Sequence, residues 1–131
     1  MVGIVIVSHS AKIAEGVRDL AAQMAGDGAK IIPAGGLESG EIGTDAVRIM
    51  EAIQKADSGD GVVVMVDMGS SILSTKTAMA MLPDEMKGRV KIADAPIVEG
   101  SMGAAVCASG NAGISEVISA AEEAKDMKKL Q

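Results

Sequence analysis

Phenylalanine, tyrosine and tryptophan are all missing from this 131-residue chain. Their absence removes the platforms on which single-stranded nucleic acid usually stacks. It also leaves the core to Val, Ile, Ala and ten Met. Methionine fills irregular gaps well, so these methionines are expected as core filler rather than as a binding surface. Cysteine and histidine occur once each, as Cys107 and His9. One cysteine forms no intrachain disulfide. With no second Cys or His, a zinc or iron–sulfur site is not expected, and no metal ligand is assigned. Cys107, in the small-residue run "GAAVCASG", reads as a small buried hydrophobe with no spare histidine to activate it.

Positive charge is also scarce, with 12 Lys and Arg against 18 Asp and Glu and a net charge of −6. An acidic chain without a basic patch is a poor partner for nucleic acid. Lys125, Lys128 and Lys129 read as the solvated face of a final helix, where they match its dipole. No apolar run approaches the length of a membrane span, and residues 1–7 lack the basic leader of a signal peptide. The reading is a cytoplasmic protein with no membrane insertion, organised as one domain over residues 1–131.

Three enzyme motifs are missing as well. There is no G-x-x-x-x-G-K-[ST] loop, so the chain is not expected to bind ATP by itself. No G-x-S-x-G elbow stands in the right context; "EGSMG" is only superficially similar. Histidine phosphatases and mutases need a second catalytic histidine, which this chain does not have.

What remains alternates. Residues 2–7 are an apolar, β-branched run suited to a strand buried on both faces. After "SHS", Ile13, Val17, Leu20, Ala21 and Met24 recur at helical spacing, until Gly26 and Gly28. "AKIIPA" is a second strand, with Pro33 marking its end. The glycine-rich loop "GGLESGEIGTD" leads to a helix started by Thr44 and Asp45 and striped by Ala46, Ile49, Met50 and Ile53. "VVVMVD" is a third strand, followed by "MGSS" and a helix that stops at Pro83. "VKIADAPIVEG" holds a fourth strand and a short extended segment after Pro96. "SMGAAVCASG" reads as a short helix, and Ile114, Val117, Ile118 and Ala121 form the buried face of the last one. The fold class is α/β: an open, mainly parallel sheet with helices on both faces. The expected strand order is 2-1-3-4.

In such sheets ligands bind beyond the carboxyl ends of the strands, at the switch point of strand order. "SHS", "GGLESGEIGT", "DMGSS" and "VEGSMG" each follow a strand. With order 2-1-3-4, His9 and Asp67 face each other across the switch point. A carboxylate accepting from one imidazole nitrogen fixes the tautomer and leaves a lone pair on the other. Ser70 and Ser71, at the start of a helix, offer an anion site, and Gly69 lets the backbone approach it. Plainer readings stand beside these. A lone histidine at a strand end can be structural, "DMGSS" can be a helix cap, and "GGLESGEIGT" can be an ordinary connection.

"GIVIVSHS", "GGLESGEIGT", "VDMGS" and "APIVEG" occur in order. Together they resemble the phosphotransferase subunits of bacterial dihydroxyacetone kinases that run on phosphoenolpyruvate, a family similar in fold to the mannose-type IIA domains. The resemblance implies a homodimer in which His9 is phosphorylated through Nε2, with Asp67 at Nδ1. It implies a phosphoryl donor, the phosphocarrier HPr, and an acceptor, ADP on the subunit DhaL, with the subunit DhaK phosphorylating dihydroxyacetone. No cofactor is implied on this chain; ADP and Mg²⁺ belong to the partner. Gly69, Ser70 and Ser71 are phosphate-site candidates, and Gly36, Gly43 and Thr44 are implied as a loop lining the site. Some members continue into HPr-like and enzyme I-like domains, so a chain ending at Gln131 is expected to rely on separate donor proteins. The competing readings are a IIA domain for a mannose-type sugar transporter and a non-enzymatic anion-binding regulatory module.

Overall fold

β-branched residues crowd the four strands, and all strand pairs run parallel. The strands are β1 (Gly3–Ser8), β2 (Ile31–Gly35), β3 (Val62–Val66) and β4 (Val90–Ile92), in the order β2-β1-β3-β4. The computed structural model describes residues 1–130; Gln131, the end of the expected domain, lies outside them. The central strands β1 and β3 are buried along their whole length, as their unbroken apolar runs require. Pro33 does not end β2. It sits within the strand opposite Ile6, tolerated because β2 is an edge.

Six helices cover the sheet: α1 (Ala11–Ala25), α2 (Ala46–Ala56), α3 (Ser70–Ala80), the single turn α4 (Asp84–Lys87), α5 (Ile97–Ser109) and α6 (Ile114–Glu122). Ile4, Ile6, Val63 and Met65 point to the face packed by α1, α5 and α6. Val5, Val7, Val64 and Val66 point to the other face, against Ile49 and Ile53 of α2 and Ala78 of α3. The alternation of side chains along a strand divides one apolar run between two cores.

Small residues take the place of the missing aromatics. The buried stripe of α1 is Ala14, Val17 and Ala21, whereas Ile13, Leu20 and Met24 of the expected stripe are about half exposed. The buried positions centre about 70° around the helix from Ile13, Leu20 and Met24. The smaller stripe wins because α1 lies hard against β2. A Cβ on Gly35 would stand 2.5 Å from the Ser10 carbonyl oxygen and 2.7 Å from the Ala14 Cβ. The methionines are divided as well. Met65 and Met86 are buried, while Met24, Met68, Met81 and Met127 are exposed, so core filling describes only part of the set.

The region after Pro96 also departs from expectation. It is not extended, because Pro96 is the N-cap of α5, which absorbs "VEGSMG" and "GAAVCASG" into one helix. Gly100 reads as a loop glycine and Gly103 as part of a short helix; both mark close packing. A Cβ at Gly100 would meet the Met65 Cε at 2.9 Å, and one at Gly103 the Ala120 carbonyl oxygen at 2.8 Å. Cys107 is half-buried against this core, and burial raises its thiol pKa. The lysine cluster is not on a helix face: Lys125 lies in a 3₁₀ turn (Glu123–Asp126), and Lys128 and Lys129 follow it, with Lys129 paired to Glu99 at 2.9 Å. Among the described residues, no helix is long and apolar enough to cross a membrane.

Candidate active site

His9 follows the last residue of β1, and Asp67 follows the last residue of β3. The two strands are paired in parallel, with Val7 opposite Val66, so their ends bring the side chains together at the switch point. Imidazole Nδ1 lies 2.9 Å from Asp67 Oδ1. The His9 side chain is 20% exposed and that of Asp67 is 14% exposed, so the pair is sheltered yet reachable.

Asp67 receives four hydrogen bonds. Oδ2 accepts from the Ser8 hydroxyl at 2.8 Å and from the His9 amide at 2.9 Å. Oδ1 accepts from the Met68 amide at 2.8 Å and from the His9 ring. Burial by itself would raise the carboxyl pKa; the donors from His9, Met68 and Ser8 outweigh it and bring the value from 3.8 down to about 2. The group is therefore an ionised carboxylate at neutral pH and can only accept. In the neutral ring Nδ1 must then carry the proton, and Nε2 keeps its lone pair.

That lone pair faces Ser70, whose Oγ is 2.6 Å from Nε2. With Nδ1 protonated, the serine hydroxyl donates and Nε2 accepts. Ser70 is exposed and opens α3, whose N-terminus has no side-chain cap. The Ser71 and Ile72 amides donate to the Met68 and Gly69 carbonyls at 2.9 and 3.1 Å, so what the start of the helix sets beside Nε2 is the Ser70 hydroxyl. Gly69 is the N-cap at φ +22°, with open space where a Cβ would go. Ser71 does not join the site. It is buried, and its hydroxyl donates to the Met68 carbonyl at 2.7 Å.

The glycine-rich loop supports the histidine through the backbone. The Gly36 amide donates to the Ser8 carbonyl at 3.1 Å, and the Gly43 amide to the His9 carbonyl at 2.9 Å. Both glycines have positive φ, +68° and +150°. Thr44 Oγ1 lies 2.7 Å from Ser74 Oγ, tying the loop to α3. "APIVEG", by contrast, lies at the start of α5 and makes none of these contacts. Ser8 and Ser74 were not singled out from the sequence. Ser8 was legible only as the neighbour of His9 in "VSHS", and Ser74 only as one hydroxyl among several in "SSILSTKTAMAML". Among the described residues, no group of three or more His, Cys, Asp or Glu side chains is placed to hold a metal ion.

This open parallel sheet, with its carboxylate-held imidazole at the switch point, belongs to a chain that matches a family described as the PTS system fructose IIA component, EIIA-man. Residues 3–120 match that family, and the chain belongs to it. The curated relatives are more particular. The chain is 46% identical, over its whole length, to the Escherichia coli K12 protein named PEP-dependent dihydroxyacetone kinase, phosphoryl donor subunit DhaM. It is 43% identical to the DhaM of Klebsiella michiganensis, and it spans 28% of the length of each of these two proteins. A Listeria innocua relative, phosphoryl donor subunit DhaM of PEP-dependent dihydroxyacetone kinase 2, is 42% identical over 81% of this chain and 85% of its own length. The resemblance carried by the four motifs is thus the one the relatives' names bear. A crystal structure of an unknown function protein, EF1359, has the same fold, with TM-score 0.87 and 31% identity over 99% of this chain and 98% of that one.

Proposed function

We propose that this chain carries phosphoryl groups for a phosphoenolpyruvate-dependent dihydroxyacetone kinase, with His9 as the phosphorylated residue. The carrying observation is the imidazole held between Asp67 and Ser70, with its lone pair on Nε2 at the open edge of the sheet. Phospho-HPr is the donor. Nε2 attacks the phosphorus in line, the bond to the donor breaks, and the phosphoryl group rests on Nε2. It then passes to the terminal oxygen of ADP on DhaL, forming ATP for use by DhaK. ADP and its Mg²⁺ sit on that partner, and this chain brings no cofactor of its own.

Asp67 contributes by holding Nδ1–H and by stabilising the positive charge the ring gains as Nε2 is substituted. The Ser70 hydroxyl yields the lone pair and turns to an equatorial phosphoryl oxygen. Gly69, with open space where a Cβ would go, lets the backbone at the start of α3 come close to the others. Phosphoryl transfer needs this positioning and charge compensation more than covalent help from the protein. Two proteins must reach Nε2 in turn, which suits an edge site and transient contacts. The chain acts in the cytoplasm and, as the resemblance implies, as a homodimer.

The family's description as a sugar-system IIA component favours a second reading, in which the acceptor is a IIB protein. Discharge of the phosphoprotein by DhaL–ADP, but not by a IIB protein, supports the kinase reading. The reverse result supports the sugar-transport reading.

A further inference from the structure

Ser8 lies immediately before His9 and is completely buried. Its hydroxyl is committed on both sides: it donates to Asp67 Oδ2 at 2.8 Å and accepts from the Ser10 amide at 3.1 Å. A carboxylate has no proton to give, and a backbone amide has no lone pair to offer, so the direction of the hydroxyl is set. The same Ser8 residue is clamped through its carbonyl by the Gly36 amide. Ser10, the other end of the relay, is the N-cap of α1 and accepts from the Ile13 amide at 3.3 Å. One hydroxyl therefore links the orienting carboxylate to the start of the helix that follows the histidine.

We infer that Ser8 is the positioning residue that sets which ring nitrogen of His9 carries the proton, by pinning Asp67 Oδ2 so that Oδ1 stays on Nδ1. The inference rests on the reading of His9 Nε2 as the phosphoryl acceptor, and it goes beyond that reading by naming what keeps Nε2 unprotonated. Without the Ser8 hydroxyl, Oδ2 retains only the His9 amide. Oδ1 keeps the Met68 amide, but the carboxylate has lost one of its four donors and is held less tightly about its Cβ–Cγ bond, and the Ser10 amide loses its acceptor. The ring tautomer is set by the hydrogen bond its other nitrogen makes, so a loosened Oδ1 admits the Nε2–H form. That form has no lone pair at the attacking position.

The test uses the full chain labelled with ¹⁵N-histidine, whose single imidazole gives one pair of ring nitrogen signals. In the neutral ring of the wild type, Nδ1 is expected to be protonated and Nε2 unprotonated. Ser8→Ala is expected to bring up the Nε2–H form and to slow phosphorylation by phospho-HPr about 10-fold, the effect of one hydrogen bond to a charged group. Ser8→Cys keeps nearly the same volume with a much weaker donor and is expected to behave like Ser8→Ala; it carries the test if the alanine variant does not fold. Ser8→Thr, which keeps the hydroxyl, is expected to restore the wild-type ring signals. Folded Ala or Cys variants with wild-type ring signals and a wild-type rate would overturn the inference. If phospho-HPr does not phosphorylate the wild type, the functional reading fails, while the ring signals still decide the role of Ser8.

Discussion

The two ring nitrogens of His9 are held by different chemistry: a half-buried carboxylate on Nδ1 and an exposed hydroxyl on Nε2. Substitutions on the two sides should therefore differ in size and kind. Asp67→Asn removes the ionised acceptor and is expected to slow phosphorylation of His9 by about 10- to 100-fold, the worth of one hydrogen bond to a charged group. A single-turnover phosphorylation rate with phospho-HPr measures it. Ser70→Ala frees the lone pair in the resting state but removes a donor to the phosphoryl group. It is expected to shorten the lifetime of the phosphoprotein more than it slows its formation, as followed by intact mass over time. His9, Asp67 and Ser70 were legible because strand ends at a switch point concentrate chemistry. Ser70 and Ser71 looked equivalent in "DMGSS"; one residue of helical rotation, about 100°, separates an exposed hydroxyl from a buried one. Ser8 was not legible as a positioning group, because the direction of a buried hydroxyl depends on contacts from a strand 59 positions away in sequence.

At the scale of elements, the glycine-rich loop acts as a clasp. Its amides hold the carbonyls of Ser8 and His9, and its end is tied to α3 through Thr44 and Ser74. Gly36 stands at φ +68°, and a Cβ there would come within 3.2 Å of the Glu41 carbonyl oxygen and 3.3 Å of the Ala11 amide nitrogen. Gly36→Ala is accordingly expected to cost about 1–2 kcal/mol, read from the denaturant midpoint at unchanged slope. It should also slow transfer, because the clasp sets the backbone that carries the imidazole. The loop's place at the sheet edge was legible from its position after a strand. Its action through amides was not, since glycine has no side chain to indicate a role. The start of α5 was misread for a related reason: Pro96 and Gly100 carry the composition of a loop, but Gly100 is where the helix meets Met65. Composition does not distinguish a turn from a close approach; only the partner does.

For the whole molecule, the same carboxylate that orients the ring links stability to pH. The Asp67 pKa falls from 3.8 unfolded to about 2 folded, so its contribution is fully present above about pH 4 and is lost as pH drops through 2. Asp57, whose pKa is lowered chiefly by hydrogen bonding from Arg89, acts with the same sign. Urea unfolding of the wild type and of Asp67→Asn between pH 5 and 2 should separate the two. The variant's stability should fall less steeply over that range, and an identical slope would remove Asp67 from the linkage. The sheet order, the two-sided helical cover and the site at its edge were legible because β-branched runs and helical spacing alternate so regularly. The choice of small over large residues on α1 was not, because it depends on how closely the helix lies on β2. The central claim concerns the traffic of one phosphoryl group through this fold. The direct measurement is the intact mass of the chain with phosphoenolpyruvate, enzyme I and HPr, before and after addition of DhaL with ADP. One acid-labile phosphoryl group on His9, absent in His9→Ala and discharged as ATP, is the predicted result. A chain that takes up no phosphoryl group, or a His9→Ala variant that still does, would contradict the account.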